Sequence, residues 1–280
     1  MTFKIISDSS CDLEKDYLQG KDIGFDIVPF VVNVLGHEFI DDSEGSKNVV
    51  KMLALLSTTQ EKTSTACPSP QTYYEAMTAD VNFVVTISSQ LSGSYNSACV
   101  AQKMAEEEGK KVYVIDSKAT CGVQTLIVDK LVQLIESGLS FEDICLQIQK
   151  YTDERNLVFV LKNFDNLIRN GRVLKIVAKL AVIINLNPVC IKSPDGNIEI
   201  KEKIIGNKKT LRRMVEIIGE TTPDLDGKEI IISHCLADID AETIREKILA
   251  TYPQIKGVRV VPTKLLASYY ALDEGVIVSY

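Results

Sequence analysis

Short apolar runs alternate with amphipathic segments along the first half of this chain, and no other feature limits its fold as tightly. Phe83 to Ser88 reads as a buried strand. A Ser/Gly loop follows, then a helix from about Ser94 to Glu108 that Gly109 stops. Lys111 to Asp116 is the next strand, after which Val123, Leu126, Ile127, Leu131, Val132 and Ile135 recur at helical spacing until Gly138. Ser140 is placed to cap a helix over Phe141 to Tyr151, and Asn156 to Leu161 returns to strand. Strands and helices joined this closely predict an α/β fold whose parallel sheet is covered by helices on both faces.

The pattern changes near residue 160. A helix through Leu167 stops at Gly171, and Val173 to Ile184 is apolar enough for a buried helix. Asp195-Gly196, between Val189–Ile191 and Ile198–Ile200, signals a hairpin. A basic helix over Lys208 to Ile218 follows, then a strand at Glu229 to Ser233, a helix at Ala241 to Thr251 and a strand at Val258 to Val261. At 280 residues the chain is long enough for two domains of ordinary size. The expected division is an N-terminal α/β domain over 1–160 and a smaller C-terminal α+β domain over 161–280.

Composition narrows the function. A net charge of -7 repels phosphate overall, which argues against a general nucleic-acid binder. The seven cysteines include no Cys-x-x-Cys pair, so neither a zinc ribbon nor a thioredoxin-type redox site is expected. No metal site or cofactor is expected either. The first ten residues lack a secretory pattern, and the longest apolar stretch, near Leu180 to Ile184, is far short of the ~18 residues of a membrane span. The thiols then fit a reducing cytoplasm.

The strands end in small polar residues: Ser7-Asp8-Ser9-Ser10, Ser88-Ser89, Asp116-Ser117 and Ser233-His234. Ligands of open parallel sheets bind outside those strand ends. The same residues also serve to cap the helices that follow. In Gln90-Leu91-Ser92-Gly93-Ser94, Gly93 allows close backbone approach at a helix start whose N–H groups attract anions. The loop is neither a Gly-x-Ser-x-Gly elbow nor a phosphate-binding Gly-rich motif. A second hydroxyl cluster, Thr63-Ser64-Thr65, precedes the rigid Cys67-Pro68-Ser69-Pro70 turn. Arg172 follows Gly171 and could meet a carboxylate bidentately. Cys67 as a nucleophile would need a base, and only His37 and His234 exist. Lys201, Lys203, Lys208, Lys209, Arg212 and Arg213 gather against a single Glu202; the cluster reads as a solvated face or as a site of at most transient contact with a membrane surface.

In this order the segments resemble the DegV family of bacterial fatty-acid-binding proteins. The resemblance is carried by Ile5-Ile6-Ser7-Asp8-Ser9-Ser10-Cys11-Asp12-Leu13, Val28-Pro29-Phe30, Phe39-Ile40-Asp41-Asp42 and the Thr63 to Pro70 loop. It continues through Ile87 to Tyr95, Val114-Ile115-Asp116-Ser117, Asn170-Gly171-Arg172 and Asn187-Pro188-Val189, covering nearly the whole chain. The resemblance implies two domains enclosing one long-chain fatty acid between them. It implies a carboxylate held by hydroxyls of the Thr63-Ser64-Thr65 loop, by Ser92 with the Gly93 amide, and by Arg172, with no catalytic residue. It further implies a carrier that presents its lipid to an ATP-binding fatty acid kinase subunit, which forms an acyl phosphate for phospholipid synthesis.

Three departures from the family pattern stand out. The Thr-Ser loop is two residues longer, leaving open which hydroxyl meets the ligand. Asn170 stands where a Gly usually precedes Gly-Arg. A C-terminal His-x-Gly-Pro-Gly is missing, with Ala271 near the histidine's place and Tyr269 or Tyr270 the phenols that could substitute. Burial of a palmitate tail is worth up to about 12 kcal/mol at ~0.8 kcal/mol per methylene before ordering costs, which favours a carrier. The alternatives are a stand-alone hydrolase or transferase using Asp8, Asp116 and Ser92, and a sensor of another amphiphile.

Overall fold

A computed structural model describes residues 1–59, 61, 63–173 and 186–280. The apolar run expected to form a helix over Val173 to Ile184 lies, apart from Val173, outside the described residues. The first sheet holds β1 (Phe3–Asp8) and β2 (Gly24–Val28), with two later strands described below. The connection from β2 continues into a small antiparallel sheet of β3 (Val31–Val34), β4 (His37–Ile40) and β5 (Ser64–Ala66), in the order β4-β3-β5. Between β4 and β5 run the short helix α1 (Ser43–Ser46) and α2 (Val49–Ser57).

Helix α3 (Pro70–Ala76) starts where Ser69 accepts from the Thr72 amide at 3.1 Å, with Pro70 in the first turn where its missing N–H costs nothing. It leads to β6 (Val81–Thr86), α4 (Ser94–Glu107) and β7 (Lys111–Asp116), which complete an all-parallel sheet of order β2-β1-β6-β7. Alternate residues of these strands serve two cores. Ile6, Val84 and Val114 face α3 and α4, whereas Ile5, Phe83, Val85 and Ile115 face α5 (Gly122–Glu136) and α6 (Phe141–Asp153). Both faces are therefore covered, as the pattern predicts. Ser140 caps α6 through the Asp143 amide at 3.1 Å, also as expected.

The strand expected at 156–161 is β8 (Leu157–Val160), and it does not extend the parallel sheet. It pairs antiparallel with β9 (Leu186–Lys192) and with β13 (Gly275–Ser279). The chain changes sheet just before it, between Asp153 and Leu157. A strand buried on both faces carries the same apolar letters in either sheet, so its sequence could not reveal this. Helix α7 (Asp165–Arg169) ends at Gly171, whose φ of +73° is the left-handed stop that glycine supplies. β9 and β10 (Ile198–Ile205) form the expected hairpin, followed by α8 (Asn207–Thr221), β11 (Glu229–Cys235), α9 (Asp238–Thr251), β12 (Gly257–Pro262) and α10 (Leu265–Ala271). The second sheet has the order β10-β9-β8-β13-β11-β12 and is mixed, with only β11 and β12 parallel.

Helix α5 lies between the two sheets, packing on β1 and β6 on one side and on β11 and β13 on the other. Gly122, its first residue, marks how close this contact is: a Cβ there would fall 2.7 Å from Ile231 Cβ and 3.0 Å from Ser279 Cβ. Helices α8 and α9 cover the outer face of the second sheet through Val158, Val160, Ile230, Ile232, Val276 and Val278.

Candidate functional site

In the parallel sheet β1 is flanked by β2 and β6, so successive connections leave it in opposite directions, and a crevice opens at the carboxyl ends of β1 and β6. Asp8 ends β1 there. Fully buried, it accepts hydrogen bonds from the Ile87 amide at 2.9 Å, Ser94 Oγ at 2.8 Å, Ser10 Oγ at 2.6 Å and Gln124 Nε2 at 2.9 Å. The strand-end hydroxyls Ser10 and Ser94 are thus spent on tying β1, β6, α4 and α5 together. Asp116 is occupied similarly, accepting the Ser89 amide at 3.1 Å and the Lys118 amide at 2.9 Å.

Beside this crevice lies an apolar cavity with an empty volume, open mouth included, of about 870 Å³. Its walls come from both sheets and from α10. Leu157, Phe159 and Leu161, the alternate inward residues of β8, form one side with Ile277 of β13. Ile87, Ala119 and Cys121 from the strand-end loops of the first sheet form the other. The β9–β10 hairpin tip closes over these loops, with Ser88 Oγ donating to the Gly196 carbonyl at 2.8 Å. Gly196 has φ +89°, and a Cβ on it would strike Ser88 Oγ at 2.4 Å, so the turn and the docking both require glycine.

Polar groups gather at one end. Thr65 and Tyr270 line the cavity with their hydroxyls 3.0 Å apart. Arg172 lines it too, close enough for its charge to act on the Tyr270 phenol, although burial dominates and pushes that phenol's pKa up. One Arg172 amino group donates to the Asn170 carbonyl at 2.5 Å, while its Nε is buried with no acceptor among the described residues. Ser92 lines the cavity and accepts from the Ser94 amide at 3.2 Å, capping α4. Gly93 next to it presents an amide that has no acceptor among the described residues.

Of the six residues singled out in the sequence, Thr65, Ser92 and Arg172 line this cavity, and Gly93 adjoins Ser92 without lining it. Thr63 and Ser64 do not line it. The strand alternation of β5 turns Ser64 outward, and Thr63 is buried behind the site, its hydroxyl 2.5 Å from Tyr269 OH. Tyr269 also accepts from Asn170 Nδ2 at 2.9 Å, so it braces the segment before Arg172 rather than facing the cavity. Gly93 has an ordinary φ of -72°, and a Cβ there would make only a normal 3.6 Å contact with Cys67 Sγ. Neither backbone conformation nor packing demands a glycine at that position.

Other candidates disperse. His234 Nδ1 accepts from the Ala237 amide at 3.2 Å, and His37 sits on an exposed strand. The basic cluster is less basic than its sequence reads, because Arg213 binds Glu202, Glu216 and Glu220 and Arg212 meets Glu216 at 3.4 Å. Among the described residues no helix is long and apolar enough to cross a membrane.

A polar cluster beneath α10 positions its cavity-facing residues. Asp41, fully buried, accepts the Leu265 and Leu266 amides at 2.9 and 3.2 Å and Ser9 Oγ at 2.8 Å. Lys264 donates to the Leu13 carbonyl and pairs with Glu14 at 3.1 Å. Asp12 accepts from Ser233 Oγ at 2.5 Å, with the Cys121 thiol beside the same carboxyl. Burial raises the pKa of Asp12 to about 7 and that of Asp41 to about 6.

This arrangement of sheets and loops has close relatives. A DegV domain-containing protein of Streptococcus gordonii is 38% identical over 283 residues, spanning all of this chain and 99% of the relative. Among solved structures, the Fatty Acid Kinase (Fak) B3 protein of Streptococcus pneumoniae, loaded with linoleic acid, superposes with a TM-score of 0.91 at 33% identity, covering 100% of this chain and 99% of that one. A DegV family protein of Ruminococcus gnavus with vaccenic acid gives 0.92 at 31% identity, covering 100% and 99%. One of Eubacterium eligens loaded with heptadecanoic acid gives 0.91 at 33%, covering 99% of both chains. The sequence model described as "uncharacterised protein, DegV family" matches residues 2–269. A match over nearly the full length, together with these identities, establishes that the chain belongs to the DegV family.

Proposed function

We propose that this protein binds one long-chain fatty acid, tail in the cavity and carboxylate at the Thr65–Ser92–Arg172 end, and presents it to a separate ATP-binding kinase subunit without turning it over itself. The carrying observation is the polarity of the cavity. Its walls are mostly apolar, while Thr65, Ser92, Tyr270 and Arg172 add two hydroxyls, a phenol and a guanidinium whose buried Nε has no acceptor among the described residues. Hydrocarbon burial supplies most of the affinity at ~0.8 kcal/mol per methylene. The head-group donors remove the penalty that an unpaired buried carboxylate would incur.

The bound fatty acids of the similar solved structures support the ligand class, and the likeness to the Fak B3 protein supports the kinase partner. A hydrolase built on Asp8, Asp116 and Ser92 is disfavoured, since Asp8 is taken up by structural hydrogen bonds, Asp116 accepts two backbone amides on one oxygen, and neither carboxylate nor either histidine lines the cavity. The test is native mass spectrometry of the purified protein, then lipid identification after denaturation. A long-chain fatty acid is expected in the wild type, and reduced occupancy with a wild-type-like circular dichroism spectrum in Thr65→Ala/Ser92→Ala. Full occupancy in that double variant would sink the site assignment. A protein that comes empty and ignores palmitate and oleate would sink the ligand class.

A further inference from the structure

The opposite end of the same cavity is not purely apolar. Lys118 and Lys192 line it. The register fixes where they lie: Ile191 pairs with Val158, which sets Lys192 beside Leu157. The Tyr270 end lies instead by Leu161, since a Cβ on Gly275 would touch both Leu161 Cδ2 at 3.2 Å and Ala271 Cβ at 2.7 Å. Leu157 and Leu161 are separated along the strand by roughly 13 Å at ~3.3 Å per residue. The cavity is thus an apolar tube with a cation at each end.

The two lysines differ in their partners. Lys118 pairs with Asp153 at 2.7 Å. Lys192 is half-buried and has neither a hydrogen bond nor an ion pair among the described residues. Burial first, and the neighbouring Lys118 charge second, disfavour its charged form; the Asp153 and Asp116 charges oppose this, and Arg155 adds to it least. A partly desolvated ammonium without a counter-ion, in the wall of a ligand cavity, calls for an anion inside that cavity.

We propose that the preferred ligand is a long-chain lipid with an acid at both ends, an α,ω-dicarboxylic acid whose second carboxylate meets Lys192. This rests on the fatty-acid reading above and narrows it. An ordinary lipid tube would reject such a ligand at least a hundredfold, because the ω-carboxylate would be buried unpaired. Here it neutralises Lys192, with the polar side chain of Asn197 also in the cavity wall.

The experiment compares binding of hexadecanoic acid, hexadecanedioic acid and the diacid's monomethyl ester to delipidated full-length protein by calorimetry. The diacid is expected to bind more tightly than the monoacid, with the ester weaker than the diacid. Lys192→Met is expected to lower the diacid-to-monoacid affinity ratio about tenfold or more. A diacid no tighter than the monoacid, an ester that equals the diacid, or a ratio that Lys192→Met leaves unchanged would each overturn the proposal and make Lys192 a rim residue whose stem merely seals the cavity. Should the variant not fold, the ester comparison in the wild type decides alone. If hexadecanoic acid itself does not bind, the fatty-acid reading falls, and this proposal with it.

Discussion

Replacing Asp12 with Asn should make the protein more stable at neutral pH, although it removes a carboxylate that receives a hydrogen bond. The Asp12 carboxyl sits between Ser233, Cys121, Asp41 and Lys264, and its pKa is about 7 in the folded protein against 3.8 for the ordinary group. A folded-state pKa raised above the unfolded value means that the folded state holds the proton more tightly. The stabilisation is therefore complete below about pH 4 and is lost as pH rises through 7. About three pH units at 1.36 kcal/mol each make this a loss of up to about 4 kcal/mol between pH 4 and pH 8. Asn is neutral at every pH and tolerates the φ of +57° at this position, so the variant escapes the loss. Urea unfolding of ligand-free wild type and Asp12→Asn, measured from about pH 4 to pH 8, gives the difference directly and cancels groups common to both. That difference should favour the variant increasingly as pH rises, most steeply between about pH 5 and pH 7. A variant less stable than the wild type at about pH 8, or a difference that does not change with pH, would refute the reasoning.

Two further substitutions probe the site and its scaffold. Gly93→Ala should fold with a melting temperature within a degree or two of wild type, because its φ is ordinary and its Cβ has room beside Cys67; fatty-acid affinity should nevertheless fall about tenfold, as the methyl group meets a ligand carboxylate drawn to the Gly93 amide, and displacement of a fluorescent fatty acid measures it. Gly122→Ala should cost about 1–3 kcal/mol by overpacking, since its Cβ would press on Ile231 and Ser279, and chemical denaturation will show whether that much is lost.

Much of this architecture is written locally. The strands ending at Asp8, Thr86 and Asp116, the cap at Ser140 and the hairpin at Gly196 each follow from a few adjacent residues. What stayed hidden is non-local. Leu157–Val160 is apolar on both faces, so nothing in its letters says which sheet it joins. Which of Thr63, Ser64 and Thr65 faces a ligand depends on β5 pairing with β3, and Thr65 meets a phenol 205 positions away. The resemblance placed a phenol at 269 or 270, but only packing separates Tyr270 in the cavity from Tyr269 behind it. The basic cluster carried a further signal that its reading did not use: Glu216 and Glu220 lie three and seven residues after Arg213 on one helix face, ready to neutralise it.

Helix α5 has a consequence for how the molecule comes together. Eleven of its fifteen residues are buried because one sheet covers one side of it and the other sheet the rest. A fragment ending near residue 160 would leave Val123, Ile127 and Leu131 with part of their covering gone, and a fragment beginning there would lack the helix that fills the inner face of its sheet. Neither half completes its own core, so the two sheets are bound into a single cooperative folding unit, and the cavity between them exists only once both have assembled around that helix.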